Sequence, residues 1–167
     1  MTEPIESIIA RLLIMQNLKL ALAESCTGGL VSDRITNIPG SSAYFLGGVV
    51  AYAYQAKVNL LGVKWETLNT HGAVSRQVVL EMAKGARKAL QADLASSISG
   101  IAGPDGGTDQ KPIGTTWIGL SSPDGEWARV FCWTGNRIEN KAASAQAALQ
   151  MILDYLQGRR DLDINPV

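Results

Sequence analysis

A short run of small polar residues, Ala23–Gly29 (AESCTGG), contains the side chains best suited to chemistry. It follows an apolar stretch that predicts a buried strand and precedes a predicted helix. Ser25 becomes a nucleophile once a base takes its proton, and a helix start offers N–H groups to a phosphate or an oxyanion. The same pattern is typical of a helix N-cap made by Ser25 or Thr27, and the pattern alone does not separate the two interpretations.

Lys57 is the candidate base for this serine. Histidine is the usual base, but His71 is the only histidine and lies in a predicted turn. A lysine can serve where burial keeps it neutral, and Lys57 lies in the apolar stretch Tyr54–Leu61. An isolated lysine is more often a solvated helix side chain. Cys26 with His71 is an alternative nucleophile and base.

The glycine-rich segment Gly100–Gly114 is a second candidate for binding. A long loop that follows a strand is often functional, and its backbone N–H groups can cradle an anion. A flexible surface loop is the alternative. Arg137 precedes the last predicted helix, and its guanidinium suits bidentate contact with a phosphate or carboxylate, although a surface ion pair is the simpler use.

Composition and missing motifs exclude several classes of function. The 15 basic and 15 acidic residues balance, whereas proteins that bind nucleic acid carry a basic excess. The N-terminus lacks the basic region of a signal peptide, and no apolar run approaches the roughly 20 residues that span a bilayer. We therefore expect a cytoplasmic protein with neither a nucleic-acid nor a membrane partner. Cys26 and Cys132 form no CxxC pair, and no ligand cluster predicts a metal or cofactor. The GxSxG, GxGxxG and P-loop motifs are absent.

The elements that must position these residues alternate between helix and strand. Periodicity predicts helices at Pro4–Gln16, Gly28–Thr36, Tyr54–Leu61, Trp65–Asn69, Ser75–Leu90 (with Ser75 as N-cap) and Asn136–Leu156, and strands at Leu18–Ala23, Phe45–Tyr52, Leu94–Ile101, Thr115–Ser121 and Glu126–Trp133. This order predicts an α/β fold: a three-layer α/β/α sandwich with a mixed, mostly parallel sheet. We expect one domain over residues 1–160 and a flexible tail at 161–167. In such sheets, ligands bind beyond the carboxyl ends of the strands.

Several segments, occurring in this order, closely resemble the CinA C-terminal domain family. They are Ala23–Gly29, then Gly48-x-Val50-x-Tyr52 with Lys57, then Gly72–Ser75, then Ser99–Thr108 with Lys111–Thr115. The resemblance extends from about Leu20 to Leu156, almost the whole chain, and no motif position carries a disabling substitution.

The resemblance implies an amidohydrolase that converts nicotinamide mononucleotide to nicotinate mononucleotide and ammonia, without a metal. In the implied mechanism, Ser25 attacks the amide carbon, Lys57 takes its proton, and Tyr52 assists or orients. Backbone N–H groups near Thr27–Gly28 or in Gly100–Gly103 would hold the oxyanion. The resemblance also supports a homodimer. A pocket that binds a pyridine nucleotide with little turnover, as a regulatory module, is the alternative.

The implied substrate carries a phosphate and a positively charged pyridinium ring. We expect Tyr52 or Glu24 to face the ring, since an aromatic face or a carboxylate attracts a cation. The candidates for binding the phosphate are Arg137, Ser42, Thr108 and the amides of the glycine-rich loops. The other residues expected to bind the substrate are Glu24, Thr27, Gly28, Gly29, Gly100 and Gly103.

Overall fold

The computed structural model describes residues 3–163, which form a five-stranded sheet with helices on both faces. The elements are α1 (Ile5–Met15), β1 (Leu20–Glu24), α2 (Leu30–Thr36), β2 (Phe45–Val50), α3 (Tyr54–Leu61), α4 (Trp65–His71), α5 (Arg76–Ala89), β3 (Leu94–Gly100), β4 (Thr115–Ser122), β5 (Gly125–Cys132) and α6 (Arg137–Leu156). A short 3-10 turn, Ser41–Ala43, precedes β2. The predicted three-layer α/β fold is confirmed.

The sheet has the strand order β2-β1-β3-β4-β5. Strands β2, β1 and β3 pair in parallel, while β4 pairs antiparallel with both β3 and β5. Only β4 therefore runs against the other described strands, and the mixed sheet with mostly parallel strands is confirmed. The carboxyl ends of β1, β2 and β3 meet at one edge, where the segments that follow Glu24, Val50 and Gly100 lie side by side.

Alternation along β1 builds the two faces of the sheet. Leu20 and Leu22 pack into the core beneath α1, α2 and α6, while Ala21 and Ala23 pack into the core beneath α3 and α5. Neighbouring strand residues point to opposite faces, so a strand that is apolar throughout must be covered on both sides. The small alanines on the second face allow the helices there to lie close to the sheet.

The longest helix, α6, has 20 residues and begins at a capping box. The Asn136 side chain accepts a hydrogen bond from the Glu139 N–H, and the Glu139 side chain accepts one from the Asn136 N–H. The predicted start of the helix is therefore confirmed. None of the helices between Glu3 and Asp163 has the length and apolarity that a bilayer crossing requires.

Several predicted boundaries differ from the structure, and two of the differences affect the site or the chain end. Helix α2 begins at Leu30 rather than Gly28, because Gly28 and Gly29 have φ angles of 62° and 104°, which a right-handed helix does not allow. The residues 161–163 differ from the expected frayed tail: the Leu162 side chain is fully buried, and the Asp163 carboxylate accepts a hydrogen bond from the Ala128 N–H. The rest of the predicted tail, 164–167, lies outside the described residues.

Gly85 provides a test of how closely α3 and α5 pack. A Cβ atom added at Gly85 would lie 1.8 Å from the Leu61 carbonyl oxygen, so the two helices would have to separate. Alanine is normally about 1 kcal/mol better than glycine within a helix. We nevertheless expect Gly85→Ala to lower the free energy of unfolding by about 2–3 kcal/mol, measured by urea denaturation. Lys88→Ala, on the exposed face of the same helix, should change it by less than about 0.5 kcal/mol. A Gly85→Ala protein as stable as the parent would contradict the close packing.

Candidate active site

Ser25 and Lys57 meet at the carboxyl edge of the sheet. Ser25 directly follows β1, and Lys57 comes from the middle of α3. The Lys57 Nζ lies 2.9 Å from the Ser25 Oγ, 2.8 Å from the Ala51 carbonyl oxygen and 3.1 Å from the Tyr52 carbonyl oxygen. Both side chains are buried, with Lys57 only 1% exposed. Three hydrogen bonds thus fix the position of the lysine nitrogen against the serine hydroxyl.

Burial decides the charge of Lys57. Desolvation lowers the pKa of its ammonium from the ordinary 10.5 to about 8, because the charged form loses its water. A neutral amine has two N–H donors and one lone pair. Ala51 and Tyr52 offer only carbonyl oxygens, so they take the two N–H groups, and the lone pair is left to accept the Ser25 proton. The arrangement suits a serine nucleophile with a lysine as its general base.

The Cys26 thiol is poorly suited to act as the nucleophile. Burial raises the pKa of the Cys26 thiol to about 11, and a thiol that keeps its proton is a weak nucleophile. His71 ends α4 in an exposed position, and within residues 3–163 no hydrogen bond links it to Cys26. The geometry therefore favours Ser25 with Lys57 over Cys26 with His71.

Glu24 does not face the site as expected; its carboxylate caps the start of α2. Its side chain is fully buried and accepts hydrogen bonds from the N–H groups of Gly29, Val31 and Ser32 and from the Ser32 hydroxyl. A carboxylate at a helix N-terminus is favoured by the unpaired N–H groups and by the helix dipole. The expectation that Glu24 binds a pyridinium is wrong, because all of its contacts lie within the protein. Neither Ser25 nor Thr27 is the N-cap of α2.

The glycine amides at the start of α2 also differ from the expectation. The Gly28 N–H donates to the Ser25 carbonyl oxygen and the Gly29 N–H to the Glu24 carboxylate. Both amides are therefore occupied and do not face a substrate phosphate. The N–H groups of Cys26 and Thr27, which directly follow Ser25, donate to no backbone carbonyl within residues 3–163. The Thr27 hydroxyl is buried there without a partner as well.

Arg137 joins the two loops that flank the nucleophile. Its guanidinium donates one hydrogen bond to the Gly103 carbonyl oxygen, at 2.6 Å, and one to the Tyr52 hydroxyl, at 2.9 Å. The Tyr52 ring is 58% exposed, while its backbone carbonyl accepts from Lys57. The structure thus brings Tyr52, Lys57, Gly103 and Arg137 to the same edge as Ser25, as the sequence predicts.

Gly100 serves close packing at the end of β3. A Cβ atom added there would lie 2.5 Å from the Thr116 hydroxyl and 3.1 Å from the Cys26 sulfur. Only a residue without a side chain lets β3 end against the turn that follows Ser25. Gly100 therefore contributes to the site through packing beneath that turn, and its expected part in binding the substrate stays a prediction.

Ser42 and Thr108 do not join the group around Ser25. Ser42 is exposed in the turn before β2, and because β2 runs parallel to β1, that turn lies at the opposite edge of the sheet from Ser25. The Thr108 hydroxyl accepts the Lys111 N–H within an exposed turn. Within residues 3–163, neither side chain forms a hydrogen bond with Ser25 or Lys57, and their expected role in phosphate binding stays a prediction.

Two residues of α6 near the site carry no sequence motif. Asn140 is buried, donates to the Ala102 carbonyl oxygen and accepts the Gly135 N–H, so it ties the glycine-rich loop to the helix. Lys141 is half-buried, and its Nζ would lie 3.9 Å from a Cβ atom added at Gly28. The sequence contains one indication that these two residues lie near the site: they follow Arg137 by three and four positions, and residues at that spacing share one face of a helix. Within the described chain, no three His, Cys, Asp or Glu side chains gather closely enough to share a metal ion.

The chain belongs to the CinA C-terminal domain family, whose model matches residues 2–156. A solved structure of the competence damage-inducible protein A from Klebsiella pneumoniae is 34% identical, covers 93% of this chain and 97% of its own, and superposes with a TM-score of 0.89. The competence/damage inducible protein from Agrobacterium tumefaciens is 39% identical, with coverage of 94% and 99% and a TM-score of 0.86.

Longer relatives contain the same domain. The CinA-like protein of Thermotoga maritima is 46% identical over 157 residues, which are 94% of this chain and 38% of that protein. The CinA-like protein of Desulfosudis oleivorans is 49% identical over 149 residues, which are 89% of this chain and 36% of that protein. The chain therefore spans little more than a third of the length of these curated relatives.

Glu24→Gln tests whether this carboxylate is a cap or a ligand contact. The glutamine NH₂ is a donor and would face N–H groups that need an acceptor, so we expect the free energy of unfolding to fall by about 3 kcal/mol. Urea denaturation measures it. Glu139→Gln, at the exposed capping box of α6, should lose no more than about 1 kcal/mol. Unchanged stability together with weaker ligand binding in Glu24→Gln would show that Glu24 contacts the ligand and does not act mainly as a cap.

Proposed function

We propose that the protein is a serine amidohydrolase that converts nicotinamide mononucleotide to nicotinate mononucleotide and ammonia. The observation that carries the proposal is the 2.9 Å contact between the Ser25 Oγ and the buried Lys57 Nζ. The lowered pKa of Lys57 supports its use as a base near neutral pH. Membership of the CinA C-terminal domain family agrees with the proposal.

In the first half of the proposed reaction, the Ser25 oxygen bonds to the carboxamide carbon while neutral Lys57 takes the hydroxyl proton. The carbonyl oxygen becomes an oxyanion in a tetrahedral intermediate. Protonated Lys57 then gives its proton to the amide nitrogen, the carbon–nitrogen bond breaks, and ammonia leaves. The product of this half is a nicotinoyl ester on Ser25.

In the second half, water attacks the ester carbon and gives a proton to Lys57. The bond from that carbon to the Ser25 oxygen breaks, and Lys57 returns the proton to the serine. Nicotinate mononucleotide forms as the carboxylic acid, loses its remaining proton to solvent water and leaves as the carboxylate, and the pair is restored. Each half of the reaction uses Lys57 once as base and once as acid, which suits a lysine with a pKa of about 8.

The amides of Cys26 and Thr27 are the proposed donors to the oxyanion. They follow the proposed nucleophile directly, and no backbone carbonyl within residues 3–163 accepts from them. Fixed N–H donors aimed at developing negative charge are among the strongest catalytic contributions. Glu24 and Gly100 hold this turn in place from the two sides, through the α2 cap and the close contact at Cys26.

Tyr52 and Arg137 are proposed to bind the substrate. The exposed Tyr52 ring offers an aromatic face to the pyridinium, and Arg137 orients that ring through its hydroxyl. The remaining N–H groups of Arg137 are free for an anionic group, since the guanidinium pairs with no carboxylate in the described chain.

Replacement of the nucleophile is the direct test of the proposal. We expect Ser25→Ala to fold normally and to lose ammonia release from nicotinamide mononucleotide by at least about a thousandfold, because no acyl-enzyme can form. Cys26→Ala is the matched control at the adjacent position and should keep most of the activity. An active Ser25→Ala enzyme would sink the assignment. A parent protein that binds the nucleotide but releases no ammonia would support a binding module instead.

The pH profile tests Lys57 as the base. The neutral amine is the active form, so kcat/KM should rise about tenfold per pH unit below pH 8 and level off above it. Stability should also rise between about pH 8 and 10.5, because the ordinary pKa of 10.5 in the unfolded chain means that it binds the proton over that window and the folded protein does not. Lys57→Met should be inactive and should lack this rise, as measured by urea denaturation across pH. A rate that is flat from pH 6 to 9 would contradict the assignment.

A further inference from the structure

Lys141 places a positive charge beside the turn that carries Ser25. The proposed reaction does not use this charge. It lies on α6, half-buried, with its Nζ 3.9 Å from where a Cβ atom would stand on the exposed Gly28. The Lys141 ammonium also acts on the buried Cys26 thiol. Burial raises the pKa of that thiol, and the positive charge of Lys141 opposes part of the rise. Lys141 therefore projects from the helix across the turn that carries the nucleophile.

Lys141 and Arg137 stand on one face of α6. Residues four apart on a helix are neighbours on its surface, so the ammonium and the guanidinium extend from the same side of α6. Within residues 3–163, neither forms an ion pair with a carboxylate: Arg137 contacts only the neutral oxygens of Gly103 and Tyr52, and no hydrogen bond of the Lys141 side chain is present. Two uncompensated positive charges at one rim, in a protein whose formal net charge is zero, form an anion-binding arrangement.

The neighbouring backbone cannot take that role. The first amides of α2 are saturated by the Glu24 carboxylate, and a bound anion there would stand against a buried negative charge. The anion-binding capacity of a helix start is thus already used inside the protein. The cations of α6 are the donors left at this side of the turn.

We infer that Lys141 and Arg137 together form a subsite for the phosphate of a phosphorylated amide substrate. The inference rests on the proposed function for the identity of the reacting group, and it adds that the site distinguishes a mononucleotide from its nucleoside through Lys141. A phosphate at this position accepts charge-assisted hydrogen bonds from both side chains. Lys141 is a specificity-determining residue, and the chemical steps at Ser25 do not involve it.

The test compares Lys141→Gln on two substrates that differ only in the phosphate. With nicotinamide mononucleotide, KM should rise roughly tenfold to a hundredfold with little change in kcat, since one charge-assisted contact is lost. With nicotinamide riboside, kcat/KM should not change. Lys141→Arg should retain discrimination, and Lys88→Gln, an exposed charge removed from α5, should match the parent on both substrates. Equal losses on both substrates would overturn the inference.

A binding measurement separates this inference from the proposed function. Calorimetric titration of ribose 5-phosphate into Ser25→Ala and into Ser25→Ala/Lys141→Gln needs no turnover. Loss of affinity in the double variant supports the subsite even if the parent protein releases no ammonia, in which case only the proposed function fails. Equal affinity in the two proteins means that Lys141 does not hold the phosphate, whatever the activity of the parent.

Discussion

The burial of the Lys57 amine is the constraint on which the rest of the site depends. A lysine nitrogen removed from water must keep its hydrogen bonds, and here the partners are the Ser25 hydroxyl and the carbonyls of Ala51 and Tyr52. Those carbonyls are available because β2 ends at Val50 and the chain turns away before α3 begins. Strand β2 is thus shorter than its apolar pattern predicts. The Ala51 N–H still donates to the Glu24 carbonyl oxygen of β1, but the carbonyl oxygens of Ala51 and Tyr52 accept from the lysine. The close packing of α3 on α5 at Gly85 keeps the same helix against the core.

The turn that carries Ser25 is held by a second buried titratable side chain. Glu24 ends β1, and its carboxylate gathers the first amides of α2 across the glycine pair. The strand, the turn and the helix are therefore joined by one side chain, and the nucleophile lies between two fixed elements. A site that must hold its groups within a few tenths of an ångström needs such support. The same interaction removes the helix start from anion binding, which moves the task of holding an anion to the cations of α6.

Local pattern predicts the elements and the reactive pair, while long-range packing decides the other roles. Apolar alternation and helix caps mark the strands and helices, and the family resemblance points to Ser25, Tyr52, Lys57 and Arg137, which the fold brings together. Glu24 caps α2 because the pair Gly28 and Gly29 delays the start of that helix. The spacing of apolar residues in the sequence does not reveal this delay. Ser42 lies at the opposite edge from Ser25 because parallel strands require the chain to return to the amino edge before β2 begins. Lys141 and Leu162 acquire their roles only from the way that α6 and the segment after it pack.

The distribution of charge is compatible with one small site that holds both the proposed neutral base and the proposed anionic substrate. An anion held directly against Lys57 would favour the protonated ammonium and raise its pKa, which would remove the base. The structure keeps anionic groups away from that nitrogen: its contacts are a hydroxyl and two carbonyls, and the nearby Glu24 carboxylate is engaged by amides. A phosphate bound by Arg137 and Lys141 at the rim satisfies the same requirement. The two cations compensate its negative charge and so weaken its effect on the pKa of Lys57. The separation of rim cations from the buried amine is therefore a condition for a lysine to act as base on a phosphorylated amide.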